Sequence, residues 1–145
     1  MHCVGKDFQD EYSKKVKSKV KTLGLSRSVF FYDSKPDIYY VLSQCEIGVL
    51  SSKSEGLPIA LLEYGLHELA VLTTDVGECN QVVSDETKGY IVPSENEAVF
   101  AEKLNILMEN QHERLAKAEQ LYKHIQANFA QKAIIQQLIS FYNEL

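Results

Sequence analysis

The sequence predicts an α/β domain, a Rossmann-like doubly wound parallel sheet followed by a helical C-terminus. Three observations predict it. Short β-branched or aromatic runs alternate with stretches of helical periodicity up to residue 93. The run from Ile47 to Leu50 has no polar interruption, as in strands covered on both faces. Beyond residue 93 only helical patterns remain. Such a strand and helix order builds a sheet whose ligands bind at the carboxyl ends of the strands.

The elements follow in chain order. His2-Cys3-Val4-Gly5 reads as the end of a buried strand and a turn. Residues 11–23 place Tyr12, Val16, Val20 and Leu23 on one helical face, with five lysines around the other and Gly24 as a stop. Val29 to Tyr32 is a strand, and Pro36 opens a short helix carrying Ile38, Val41, Leu42 and Cys45. The strand Ile47 to Leu50 runs into the polar loop Ser51 to Gly56. Pro58 is then suited to be the first residue of a helix reaching about His67. Residues 70–74 form a strand, 80–83 a short helix and 89–93 a last strand. Helices are expected over about 95–109, 112–128 and 131–143.

The 145 residues suit one domain, and 45% hydrophobic with 24% charged is an ordinary globular composition. A net charge of -5 argues against a general nucleic-acid binder, which needs a basic surface to displace counterions. Cys3, Cys45 and Cys79 are widely spaced and odd in number, which suggests neither a disulfide framework nor a zinc site and points to a reducing cytoplasm. Cys45 and Cys79 read as small buried residues. No apolar run approaches the length of a membrane span. The lysines of the first helix leave peripheral contact with an anionic membrane face open, although a solvated helix face explains them better. Because Met1 stands directly before a strand, the chain is expected to begin inside a larger fold.

The loop and helix from Ser51 to Glu63 carry the chemistry. Gly56 lets a ligand approach the backbone, and the helix beginning at Pro58 points free N–H groups and its positive dipole end toward the same space, which makes an anion site. Glu55 in the loop and Glu63 in the second helical turn bracket it, and a carboxylate can accept two hydrogen bonds from a vicinal diol. Residue by residue, plain packing is the stronger explanation. Leu57, Ile59, Leu62 and Leu66 would form a buried face, Glu63 a solvated charge, and Gly56-Leu57-Pro58 a turn.

Taken together, Ser-x-x-Glu-Gly-Leu-Pro-x-x-Leu-Leu-Glu, ending at Glu63 and followed by a strand and Thr74-Asp75-Val76-Gly77, resembles the retaining group 1 glycosyltransferases of GT-B fold. Their E-x7-E motif matches Glu55 and Glu63. Val4-Gly5, the Phe31 strand, Cys45 to Leu50, Gly89 to Pro93 and the closing helix ending in Phe141-Tyr142 fall in the family's order. The resemblance implies the nucleotide-sugar-binding C-terminal domain. In it Glu55, the catalytic residue, would bond hydroxyls of the donor sugar. Amides around Gly56 and Leu57 would hold sugar and phosphate, the helix start at Pro58 and Ile59 would face the diphosphate, and Glu63 would hold the ribose. It also implies retaining transfer to a glycan or lipid-linked acceptor without a required metal or other cofactor, commonly explained by front-face substitution. The sequence has no Asp-x-Asp pair and no clustered histidines. His67 reads as a helix-end residue.

The chain departs from the family pattern in several places. Glu68 and Ala70 stand where Gly and Pro are usual, so the helix-to-strand turn is expected to be built differently. Glu78, Asn80 and Gln81 replace a usual Gly, Pro and Glu, and Asp33 a usual Gly. The family's first strand, its basic Arg and Lys pair and the N-terminal acceptor domain have no counterpart in residues 1–145. Lys53 and Lys35 are the nearest substitutes for that pair, and the fragment alone is expected to catalyse poorly or not at all. A non-catalytic nucleotide-sugar-binding module is the alternative reading. The last helix carries Ile134, Ile135, Leu138, Ile139 and Tyr142, a stripe best explained by core packing, with self-association expected if part of it stays exposed.

Overall fold

The computed structural model describes residues 1–143, with the side chain of residue 137 outside the description. The chain divides into two compact units, residues 1–38 and residues 39 onward. In the first unit β1 (His2–Val4), α1 (Glu11–Thr22) and β2 (Phe30–Tyr32) form a parallel β-α-β unit with His2 opposite Phe30 and Val4 opposite Tyr32. Asp10 caps α1 by accepting from the Ser13 N–H at 2.8 Å. The helix ends with Gly24 at φ 69, where Gly24 N–H reaches Lys21 O and Leu25 N–H reaches Val20 O, the two bonds of a Schellman motif. Asp7 accepts from Lys17 and from Ser13 Oγ, and these partners, Lys17 foremost, hold its carboxyl well below the usual range.

The second unit opens with most of α2 (Ile38–Leu42). It continues through β3 (Ile47–Leu50), α3 (Ile59–Leu66), β4 (Ala70–Thr74), α4 (Cys79–Val82) and β5 (Tyr90–Val92). Three helices follow, α5 (Glu97–Glu109), α6 (Gln111–Asn128) and α7 (Gln131–Asn143). β3, β4 and β5 form a parallel sheet in that order. The expected parallel α/β architecture is present, with its strands in two sheets; among the described residues no ladder joins β3 to β1 or β2. Strand alternation divides the core. Val71 points into a cluster with Leu61, Cys79, Val82, Leu121 and Ile125, while Ala70 and Leu72 point into another with Tyr90, Val92, Leu107 and Ala118. α6 contributes to both.

The face that α3 buries differs from the expected one. Leu57, Ile59 and Leu66 are 46%, 59% and 44% exposed and Leu62 is half-buried, whereas Leu61 and Gly65 are buried. Ile-Ala-Leu-Leu-Glu-Tyr-Gly-Leu is apolar nearly all round, so its periodicity does not choose a face. Contact with α6 chooses it. A Cβ at position 65 would lie 2.2 Å from Ile125 Cδ1 and 2.9 Å from Leu121 Cγ, so α6 can seat itself there only against a glycine.

The turn into β4 also corrects an expectation. Glu68, where glycine is usual, has φ 55, and its N–H reaches Gly65 O while Leu69 N–H reaches Tyr64 O. This is the same Schellman geometry as at Gly24, kept without the glycine. The α7 stripe is a third correction. Ile134, Ile135, Leu138, Ile139 and Tyr142 are all exposed, because α7 packs on α6 and turns this face away from the core. Cys79 is buried as expected, and Cys45 is half-buried.

Candidate functional site

The loops that follow β3, β4 and β5 gather at the carboxyl ends of these parallel strands, where α/β sheets hold ligands. Their proximity follows from specific bonds. Thr74 Oγ1 donates to Ser52 O at 2.6 Å, Glu78 N–H donates to Gly56 O at 3.2 Å, and Asp75 N–H donates to Val92 O at 2.8 Å. Gly77 sits beneath the first loop at φ 53, where a Cβ would stand 1.9 Å from Glu55 O and 3.2 Å from Gly56 O. Both the conformation and the clearance require glycine at that position.

In the loop from Ser51 to Leu57, Ser52 and Glu55 are half-buried and the other residues are exposed. Ser52 Oγ donates to Glu55 Oε1 at 2.6 Å, the short separation of a charge-assisted bond. Gly56 stands next to it, and a Cβ there would meet no atom within 4 Å. No protein neighbour requires that glycine, so the space over the backbone is free for a ligand.

Pro58 is buried and caps α3 with φ -78 and ψ 94; it is the residue before the first helical position and not the first itself, which is Ile59. No side chain caps this end, so its first N–H groups keep the anion-binding capacity of a bare helix start. Glu63 is half-buried one turn along. Its carbonyl accepts from His67, whose ring also stacks on Tyr39 at 5.1 Å, so His67 closes the helix as expected. Lys53 is exposed and pairs with Glu95 at 2.5 Å, which lowers the Glu95 pKa. Lys35 lies in the first unit, 6.0 Å from the Tyr32 ring.

The structure thus brings Glu55, Gly56, Leu57, Pro58 and Lys53 to one rim with the bare start of α3. Glu63 lies on the same helix. Sequence reasoning did not assign Ser52, Thr74, Glu78 or Glu95 to the site. Gly77 carried the clearest signal, as a glycine three residues after the end of a buried strand. Among the described residues no three His, Cys, Asp or Glu side chains converge as metal ligands would.

The model of the family described as glycosyl transferases group 1 matches residues 1–126. One similar protein is the N,N'-diacetylbacillosaminyl-diphospho-undecaprenol alpha-1,3-N-acetylgalactosaminyltransferase of Campylobacter jejuni, 30% identical over 62% of this chain and 24% of its own length. Another is the lipopolysaccharide core biosynthesis mannosyltransferase LpcC of Rhizobium leguminosarum, 27% identical over 92% of this chain and 38% of its own length. The chain therefore spans between about a quarter and two fifths of these relatives. Among solved structures, HepE of Anabaena in complex with UDP superposes with a TM-score of 0.89 at 20% identity, covering 99% of this chain and 40% of that one. The C-terminal domain of LpcC from Francisella tularensis gives 0.77 at 24% identity, covering 83% and 64%. These likenesses establish a GT-B-like α/β fold.

Proposed function

The chain belongs to the glycosyl transferases group 1 family, and on that premise we propose that it binds the nucleotide-sugar donor of a retaining sugar transfer. Glu55 meets the hydroxyls of the donor sugar, and the amides of Gly56 and Leu57 hold sugar and phosphate. The N–H groups of α3 beyond Pro58, from Ile59 onward, face the diphosphate and stabilise the charge that grows on the leaving group. Glu63 holds the ribose. Lys53 neutralises phosphate by leaving Glu95, a surface pairing that costs little to break.

One observation carries this reading. A half-buried carboxylate, held by Ser52, adjoins a glycine with open space above it and an uncapped helix start. That combination offers acceptors for a diol beside donors for an anion.

The domain works with a further region that contributes the acceptor site, for a glycan or lipid-linked acceptor, and with a first strand that carries basic residues. The share of each relative's length that the chain spans supports this. The exposed α7 stripe supports self-association, which sedimentation velocity of wild type against Ile135→Glu would test. A second reading, a nucleotide-sugar-binding module without catalysis, draws support from the engagement of Lys53 by Glu95.

Calorimetric titration of the chain with UDP-glucose, GDP-mannose and ADP-glucose tests the donor reading. Binding of one of them is expected, weakened about tenfold by Glu55→Gln or Glu63→Gln. No binding by any of the three defeats both readings. Binding without transfer, once the full-length protein is supplied with acceptor, favours the second.

A further inference from the structure

The donor contacts assigned above leave the hydroxyls of Ser52 and Thr74 unused, yet both hydroxyls end on the loop that carries Glu55. Thr74 closes β4 at 5% exposure, so its hydroxyl must bond within the protein. The acceptor it finds is not a neighbour in its own strand; it is the backbone carbonyl of Ser52, 22 residues away in sequence and across the sheet. Ser52 in turn spends its hydroxyl proton on Glu55 Oε1. The two bonds are each 2.6 Å and share one residue, so the β4 backbone, Thr74, Ser52 and the Glu55 carboxylate form a continuous chain of contacts. Gly77 closes it from below by admitting the Glu55 carbonyl where any side chain would expel it.

We infer that Ser52 and Thr74 are positioning residues for Glu55: Thr74 fixes the loop backbone at Ser52, and Ser52 fixes one oxygen of the carboxylate, leaving the other for a ligand. The inference deepens the donor reading and rests on it for its functional consequence. A glutamate in an exposed loop ordinarily samples several rotamers, and binding must then select one of them. Holding one oxygen removes most of that selection beforehand. Neighbouring Ser51 and Ser54 are exposed, so the half-buried serine is the one so placed.

The test has two arms on the full chain. In the ligand-free protein, three-bond couplings report the Glu55 χ1 angle by NMR. Wild type is expected to show a single rotamer, Ser52→Ala and Thr74→Val averaged couplings, and Ser52→Thr and Thr74→Ser values near wild type. Single-rotamer couplings in Ser52→Ala and Thr74→Val would overturn the inference whatever the ligand does, and melting curves show that each variant is folded when read. In the second arm, UDP-glucose and GDP-mannose are titrated by calorimetry into a double-mutant cycle. Ser52→Ala is expected to weaken binding about tenfold alone and to have no further effect in a Glu55→Ala background, where no acceptor for the Ser52 hydroxyl remains at position 55. An undiminished effect in that background would show that Ser52 acts on the ligand or the fold directly, which also overturns the inference. Failure of both sugars to bind wild type counts against the donor reading, while the rotamer arm still decides the positioning.

Discussion

Strand β4 reads Ala-Val-Leu-Thr-Thr and is buried at every position, whereas β2 reads Phe-Phe-Tyr and is exposed at all three, between 38% and 41%. By propensity β2 is the better strand and carries the larger apolar side chains. What separates them is their neighbours. β4 has a strand on each side and α3, α5 and α6 packed against it, while among the described residues β2 pairs with β1 alone. The turns that feed them make the same point. α1 ends on Gly24 and α3 on Glu68, both with φ above 50 and both with the same pair of Schellman bonds. At the entry to β4, where Leu69 and Ala70 are buried, that geometry holds although Glu68 lacks glycine's freedom.

The sharpest way to break the comparison is to open a cavity beside β4. Leu121→Ala removes a fully buried side chain from the cluster around Val71 and is expected to cost about 3 kcal/mol by denaturant unfolding. Phe31→Ala in β2 should cost less than about 1 kcal/mol, since its side chain is already partly in water. Equal losses would show that the two strands belong to one cooperative core. Gly77→Ala is next, at about 1–3 kcal/mol, because it combines a disfavoured φ with a collision on Glu55 O. Its loss of nucleotide-sugar affinity should exceed what its stability loss predicts, as the collision falls on the loop that holds Glu55.

Glu68→Gly runs the other way and should stabilise by about 0.5–1 kcal/mol, relieving the left-handed residue, whereas Gly24→Ala should cost about 1 kcal/mol in thermal melts. A neutral Glu68→Gly would mean that tertiary contacts of Glu68 offset its strain.

The smallest effects are in pH. Burial first, then its bond to Glu113, pushes the Tyr90 hydroxyl up to about 12. A raised folded pKa means that its contribution is complete below about pH 10, the unfolded value, and fades as pH rises through the folded one. Asp7 has the opposite sign. Its carboxyl is held down, so its contribution is present above about pH 4 and fades as pH falls through the depressed value. The amide shift of Gln9, whose N–H donates to Asp7, should therefore move in acid and those around Tyr90 in alkali, and Asp7→Asn should remove the acid change alone.

Much of this was legible in the chain itself. An uninterrupted apolar run marked β3, Gly24 marked the end of α1, and Glu55, Gly56, Pro58 and Glu63 marked the loop and helix that the structure sets at the strand ends. These features are local: periodicity, caps and turn residues act within a few positions. The misreadings had a common form. Plain packing would put Leu57, Ile59 and Leu66 inside and they lie outside, and the α7 stripe, read as core with part of it open to exposure, is exposed at all five positions.

The sequence by itself determined which segments are strands and helices and which loop joins β3 to α3, because those depend on backbone preferences over short spans. Only the tertiary structure decided which face α3 buries, that Thr74 and Ser52 hold Glu55, and that β4 is core while β2 is surface. Each of these depends on atoms brought together from distant positions, Ile125 on Gly65 and Thr74 on Ser52. A helix apolar on every side, or a hydroxyl with several acceptors in reach, has no preference of its own until a neighbour supplies one.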